Sequence, residues 1–151
     1  MELKDVCCPY CRICDEDASH LFFSCVKTMP LWWEMLSWLS TAGVFPEAPR
    51  EHFLQHSYFN LNGIRQRRWQ TWWISLTWCI WYHSNKIVFS NESFNGKKLM
   101  DDALFFYRTW LKIWKKDLTS LSIPGLATSR LGFVYMGELD YRFFFFVGIL
   151  V

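Results

Sequence analysis

Apolar residues recur at steps of three and four in three stretches of the chain, and each stretch predicts an amphipathic helix. In the first, Leu31, Trp32, Met35, Leu36 and Leu39 share a face, Thr28 stands at the cap position and Pro30 suits the first turn. Gly43 and Pro46 should end it, and Pro49 marks a loop. The second runs from residue 64 to about 83, with Trp69, Trp72 or Trp73, Leu76, Cys79 or Ile80 and His83 in step. Asn85 is expected to cap it, with Ile87, Val88 and Phe89 leaving as an extended segment packed back on the helix and residues 90–93 forming the turn. The third runs from residue 96 to about 118, where Leu99, Ala103, Phe106, Trp110 and Ile113 average 3.5 residues per step, a period that favours shallow-angle packing on a partner helix. So short a connection makes the second and third helices antiparallel, and the first helix completes a small bundle.

The remaining stretches show no such period. Residues 47–63 are polar and read as a connector with room for a short turn of helix. His52 and His56 lie four apart, a spacing that metal ligands use, but no carboxylate or third ligand accompanies them and a solvated surface is the expected place for both. Beyond residue 118, Ser120, Ser122, Pro124 and Gly125 mark a linker, followed by an irregular tail whose last residues, 143–151, are uncharged and apolar and form a candidate strand. Neither that segment nor residues 69–82 reads as membrane-spanning. The former has nine residues against the roughly 18–20 required, and Gln70, Thr71, Ser75 and Thr77 interrupt the latter.

Residues 1–27 hold too few aliphatic positions for a core, yet they carry five of the six cysteines. Cys8, Cys11, His20 and Cys25 follow the spacing C-x2-C-x8-H-x4-C, three thiols and an imidazole that can wrap a tetrahedral ion. Cys7 competes with Cys8, and Cys11 with Cys14 makes a second C-x2-C pair, so spacing alone leaves the ligand set open. An ion held here would replace the missing core. With four protein donors it would keep no water to activate, which points to a structural role rather than hydrolysis. Leu21, Phe22 and Phe23, between two ligands, should help keep water from the thiolates. Cys79 stands apart and is expected to pack as a small hydrophobe. The first residues lack the apolar core of a secretory signal, so clustered thiols indicate a reducing compartment, nucleus or cytoplasm, rather than a disulfide framework.

Two blocks carry a family resemblance. The first is Cys8-Pro9-Tyr10-Cys11, with Glu16 four residues before His20-Leu21-Phe22-Phe23-Ser24-Cys25 and then the Trp32 region. The second is Trp78-Cys79-Ile80-Trp81-Tyr82-His83-Ser84-Asn85-Lys86-Ile87-Val88-Phe89. Together, over roughly residues 5–117, they resemble the zinc-binding domain found downstream of the reverse transcriptase in plant LINE-type (non-LTR) retrotransposons, whose second block reads W-x-I-W-x-x-R-N-x-x-x-F. Ser84 stands where that family carries Arg. The resemblance implies that Cys8, Cys11, His20 and Cys25 ligate Zn²⁺, and it implies nothing about the tail.

Composition narrows the remaining choices. At 151 residues the chain builds one ordinary core, or a small metal module with a helical unit. Aromatics make up 20% of it, with ten Trp and fourteen Phe, which argues against disorder, and the helical spacing of the Trp residues assigns them to a core before base stacking. A net charge of +2 is too small to argue for nucleic acid or membrane, so local clusters must do so. Arg65, Arg67 and Arg68 begin the second helix, the end at which cations oppose the macrodipole, and phosphate contact is their natural use. Lys112, Lys115 and Lys116, near a helix C-terminus, have the blander explanation of complementing the dipole.

Catalysis finds no support in the pattern. Asp101-Asp102 lacks the Tyr of a polymerase signature and is expected in a first helical turn, where acids are favoured. Strands for an RNase H scaffold are missing, and so is G-x-S-x-G. The expectation is therefore a mainly α chain with an N-terminal Cys3His zinc-stabilised loop module, a small helical bundle and an irregular C-terminal tail. Its parts are a zinc module with the first helix in 1–42, a connector in 43–63, an antiparallel helix pair in 64–118 and the tail in 119–151. Its expected role is non-catalytic, assisting a reverse transcriptase polypeptide in binding RNA or DNA, with no membrane and no small-molecule substrate. The alternative is a protein-interaction or structural remnant of a truncated element.

Overall fold

The computed structural model describes residues 7–15, 17–40, 46, 48–55 and 63–120, with side chains as far as Ile113. It is mainly α, as the pattern predicts: α1 (Met29–Trp38), α2 (Pro49–Leu54), α3 (Ile64–Ser90) and α4 (Gly96–Ser120) follow a π-helical turn at His20–Ser24. Among the described residues there is no strand beyond an isolated bridge between Cys7 and Asp15, and no helix is long and apolar enough to cross a membrane.

Helix α1 has its proline in the first turn and buries Leu31, Trp32, Met35 and Leu36. Thr28 does not cap it as expected. Its backbone is already helical, and its hydroxyl donates backward to the Cys25 carbonyl at 3.3 Å. The helix also stops at Trp38, before Gly43: Leu39 is its cap residue and Ser40 follows at φ 49°, the left-handed region where helices commonly end.

The predicted end of the second helix is corrected. Helix α3 continues through Ile87, Val88 and Phe89 to Ser90, and the residue that caps it is Asn91, at φ 51°, not Asn85. No glycine or proline interrupts residues 84–90, and β-branched residues lower helix propensity only by tenths of a kcal/mol, about 0.7 at most. Asn85 bonds within the helix, its amide donating to the Trp81 carbonyl at 3.1 Å. Val88 and Phe89 are exposed, and of the three residues expected to pack back only Ile87 is partly buried against the core.

Helix α4 begins with the Asn95 side chain accepting from the Lys98 N–H at 2.9 Å, an N-cap bond. It runs antiparallel to α3, for Trp72 stacks on Tyr107 while the later His83 meets the earlier Asp102. Leu76, Cys79 and Ile80 on α3 and Leu99, Met100 and Ala103 on α4 are all buried in the seam. Asp101 and Asp102 fall beyond the first turn of α4, so the macrodipole does not account for them. Asp102 instead accepts from His83 Nε2 at 2.9 Å, a bond whose carboxylate side is 41% exposed. Asp102→Ala should accordingly cost only about 1 kcal/mol, read as a lower urea midpoint at unchanged m-value. An unchanged midpoint would show the bond to be idle.

His52 corrects the surface reading. It lies on α2 and is fully buried, with Nδ1 accepting from Trp73 Nε1 at 3.0 Å and its ring 4.5 Å from both Phe23 and Trp32. Helix α2 is held to α3 by Trp69 Nε1, which donates to the Phe53 carbonyl at 2.8 Å. One apolar core runs from Cys8, Tyr10, Phe22 and Phe23 through Trp32 and Trp73 to Leu99 and Ala103. The expectations placed on Gly43, His56, the side chains of Lys115 and Lys116, and the tail from residue 121 lie outside the described residues.

Candidate metal centre

Two local folds bring the donors together. Residues 8–14 close a tight loop in which Arg12 N–H donates to the Cys8 carbonyl at 2.9 Å and Cys8 N–H to the Cys14 carbonyl at 2.8 Å. Arg12 turns the chain at φ 57°. The second fold is the π-helical turn, where Cys25 N–H donates to the His20 carbonyl at 2.8 Å. Five residues of ordinary α-helix would set His20 and Cys25 about 140° apart around the axis. The wider i→i+5 winding narrows that gap, and the two donors fall in one cluster. Asp17 fastens the entry, its carboxylate accepting from His20 N–H at 2.9 Å.

The donor atoms of Cys8, Cys11, His20 and Cys25 all lie within 4.8 Å of one another. Cys8 Sγ and Cys25 Sγ are 3.9 Å apart, and Cys11 Sγ and His20 Nε2 are 3.3 Å apart. Metal–sulfur bonds of about 2.3 Å and metal–nitrogen bonds of about 2.0 Å give a tetrahedron edges of roughly 3.5–3.8 Å. The sulfur pair is far beyond the roughly 2.05 Å of a disulfide, and both cysteines are free. The four residues therefore have the donor types and the spacing to hold a metal ion. Cys7 and Cys14, which sequence spacing left as alternatives, are exposed and outside the cluster. Glu16 lies outside the described residues.

Electrostatics favour a cation at this point. Backbone N–H groups of Ile13 and Cys14, aided by the His20 ring, bring the Cys11 thiol down to about 6, so it is readily a thiolate. Burial pushes the Cys8 thiol up to about 12 and raises Cys25 as well. Two buried thiols of that kind become thiolates only beside a positive charge, which a coordinated ion would provide. The Lys27 N–H, 3.5 Å from Cys25 Sγ, supports the sulfur from outside.

The centre is tied to the helices at three places. The Tyr10 hydroxyl donates to the Ile80 carbonyl of α3, and the Tyr10 ring lies 4.9 Å from that of Phe94. Trp32 Nε1 donates to the Phe22 carbonyl at 2.6 Å, and Phe23 packs between Trp32 and Trp73. Residues between the ligands thus become part of the helical core.

Cys79, His83 and Asp102 form a second grouping, with His83 one turn along α3 from Cys79. A nucleophilic cysteine works as a thiolate at an accessible position. Cys79 is fully buried, and burial together with the Asp102 carboxylate pushes its thiol far up, so it packs as a small hydrophobe. Ser84 is buried and donates to the Trp81 carbonyl at 2.7 Å.

The basic cluster divides. Arg65 and Arg68 line an open cleft of about 710 Å³ with Trp38, Trp72, Tyr107 and Arg108, whereas Arg67 is outside it. Arg108 was not picked out in the sequence. The antiparallel pairing of α3 with α4 is what brings it opposite, a long-range consequence that no local motif announces. No protein-family model, curated protein or solved structure matches this chain.

Proposed function

We propose that this chain is a non-catalytic zinc-binding module of the kind that accompanies LINE-type reverse transcriptases, assisting such a polypeptide in holding RNA or DNA. The observation that carries the reading is the convergence of Cys8, Cys11, His20 and Cys25, the four positions at which the resemblance calls for ligands. Three thiolates with one imidazole suit Zn²⁺ in a closed tetrahedral site. Such a site shapes the surrounding chain. Four protein donors leave no position for a reacting water, so the nucleic-acid chemistry belongs to the polypeptide the module serves. The arginines at the start of α3 support the nucleic-acid part, because phosphate contacts are made chiefly by Arg and Lys.

Titration of the zinc-loaded chain with single-stranded RNA tests that part. Binding should be measurable at about 50 mM salt and weaken steeply as salt is raised. Absence of binding at low salt would reject assistance in nucleic-acid binding and favour the remnant of a truncated element.

A further inference from the structure

The cleft between α1, α3 and α4 has a composition that the metal centre does not explain. Arg65 and Arg68 enter it from the first turns of α3 and Arg108 from α4, while no carboxylate lines it. Among the described residues none of the three arginines has an ion pair. At a helix N-terminus Arg65 and Arg68 also oppose the macrodipole, so their placement works against folding. Three guanidinium groups around one opening repel each other unless an anion enters.

Aromatic rings make up much of the remaining wall. Trp72 stacks on Tyr107 at 4.3 Å and an interplanar angle of 14°, and Trp38 continues the surface 5.5 Å from Trp72. Trp72 is core, but Trp38 is 46% exposed and Tyr107 only partly buried, so ring surface is open beside positive charge. Burial raises the Tyr107 hydroxyl and the Arg68 guanidinium, which lines the same cleft, lowers it. The volume falls in the range of sites that enclose a small organic group.

We infer that this arginine–aromatic cleft is the contact surface for single-stranded nucleic acid, with Arg65, Arg68 and Arg108 on phosphates and a base lying on Trp38. The inference rests on the nucleic-acid part of the proposed function and names its site. The occupant is anionic because, among the described residues, no carboxylate offsets the three arginines. It carries planar groups because an exposed indole offers a face for stacking, and it is single-stranded because a duplex hides its base faces inside its own stack. Tyr10 reaches α3 at Ile80, about 12 Å along the helix from Trp72 at 1.5 Å per residue, so the metal centre can shape the fold without lying in this contact.

Fluorescence anisotropy with a labelled twelve-nucleotide oligouridylate tests it, using the zinc-loaded chain and its Arg65→Gln/Arg68→Gln, Arg108→Gln, Trp38→Ala and Lys97→Gln variants. The double arginine variant should bind at least tenfold more weakly and lower the slope of log K against log salt by about 1.4, two contacts at about 0.7 each. Arg108→Gln should lower the slope by about 0.7. Trp38→Ala should weaken binding about tenfold with the slope unchanged, the mark of a lost stack rather than a lost charge. Lys97, exposed at the start of α4 and outside the cleft, should matter little. The double arginine variant should melt no lower than the parent chain, which separates lost contact from lost fold.

Parent-like binding by the cleft variants, with oligouridylate still bound, would overturn the cleft and leave the proposed function standing. No binding by the parent chain would overturn both. Inorganic polyphosphate of equal charge binding as tightly as the oligonucleotide, with Trp38→Ala indifferent, would also overturn the inference, since bases would then contribute nothing.

Discussion

Replacing Cys8 or Cys25 with serine is expected to unfold residues 7–40. Both sulfurs are fully buried, and each supplies one of the four donors that could hold a metal ion at this end of the core. Structural zinc contributes on the order of 10 kcal/mol in finger peptides, comparable with the net stability of a whole domain. The loss should extend into α1, since Trp32 is anchored to the Phe22 carbonyl and Thr28 to the Cys25 carbonyl. The α3–α4 pair has its own seam, with Trp72 on Tyr107 and Leu76, Ile80, Leu99 and Ala103 buried. Hydrogen exchange of the serine variants or of chelated protein should therefore lose protection in residues 8–40 and keep it in 69–113. Within that retained region the only decrease should be a partial one around Trp73 and Ile80, where the packing of Phe23 and the bond from Tyr10 disappear. Equal loss in both regions would show that the ion supports one cooperative unit.

Trp73→Ala should be the most damaging change away from the metal centre, at about 3–5 kcal/mol. Its ring is fully buried beside Phe23, Trp32 and Phe53, and its indole N–H donates to His52. Truncation leaves a cavity where α1, α2, α3 and the π-helical turn meet. Trp73→Phe weighs the two contributions, because it retains most of the packing and removes the bond to His52, with an expected loss of about 1–3 kcal/mol. Chemical denaturation provides both values. A loss below about 1 kcal/mol for Trp73→Ala would place the ring outside the core.

The sequence carried the features with a local period or fixed spacing. Helical steps of three and four located α1, α3 and α4, and the C-x2-C-x8-H-x4-C spacing together with the family resemblance named the four residues that converge. Long-range geometry accounts for most of what it did not show. His52 looked solvated because its neighbours in sequence are polar, yet α2 lies over the Trp face of α3 and buries it. Asp102 looked like a dipole-stabilised acid because its partner, His83, is nineteen positions away on the opposite helix. The same pairing hid Arg108. At the end of α3 the misreading was local: Asn85 resembled a cap, but without glycine or proline the helix ran on until Asn91 took the left-handed conformation. The π-helical turn left no composition signal, although the five-residue step from His20 to Cys25 suits its winding better than that of an α-helix.

Metal analysis by native mass spectrometry of chain purified under reducing conditions, with Cys11→Ser and His20→Ala measured alongside, is the most direct test that these four donors hold zinc. The parent chain should carry one Zn²⁺ and both variants should lose it, while Cys14→Ser, whose thiol is exposed and outside the cluster, should retain it. A parent chain without zinc, or stoichiometric zinc in both ligand variants, would contradict the assignment.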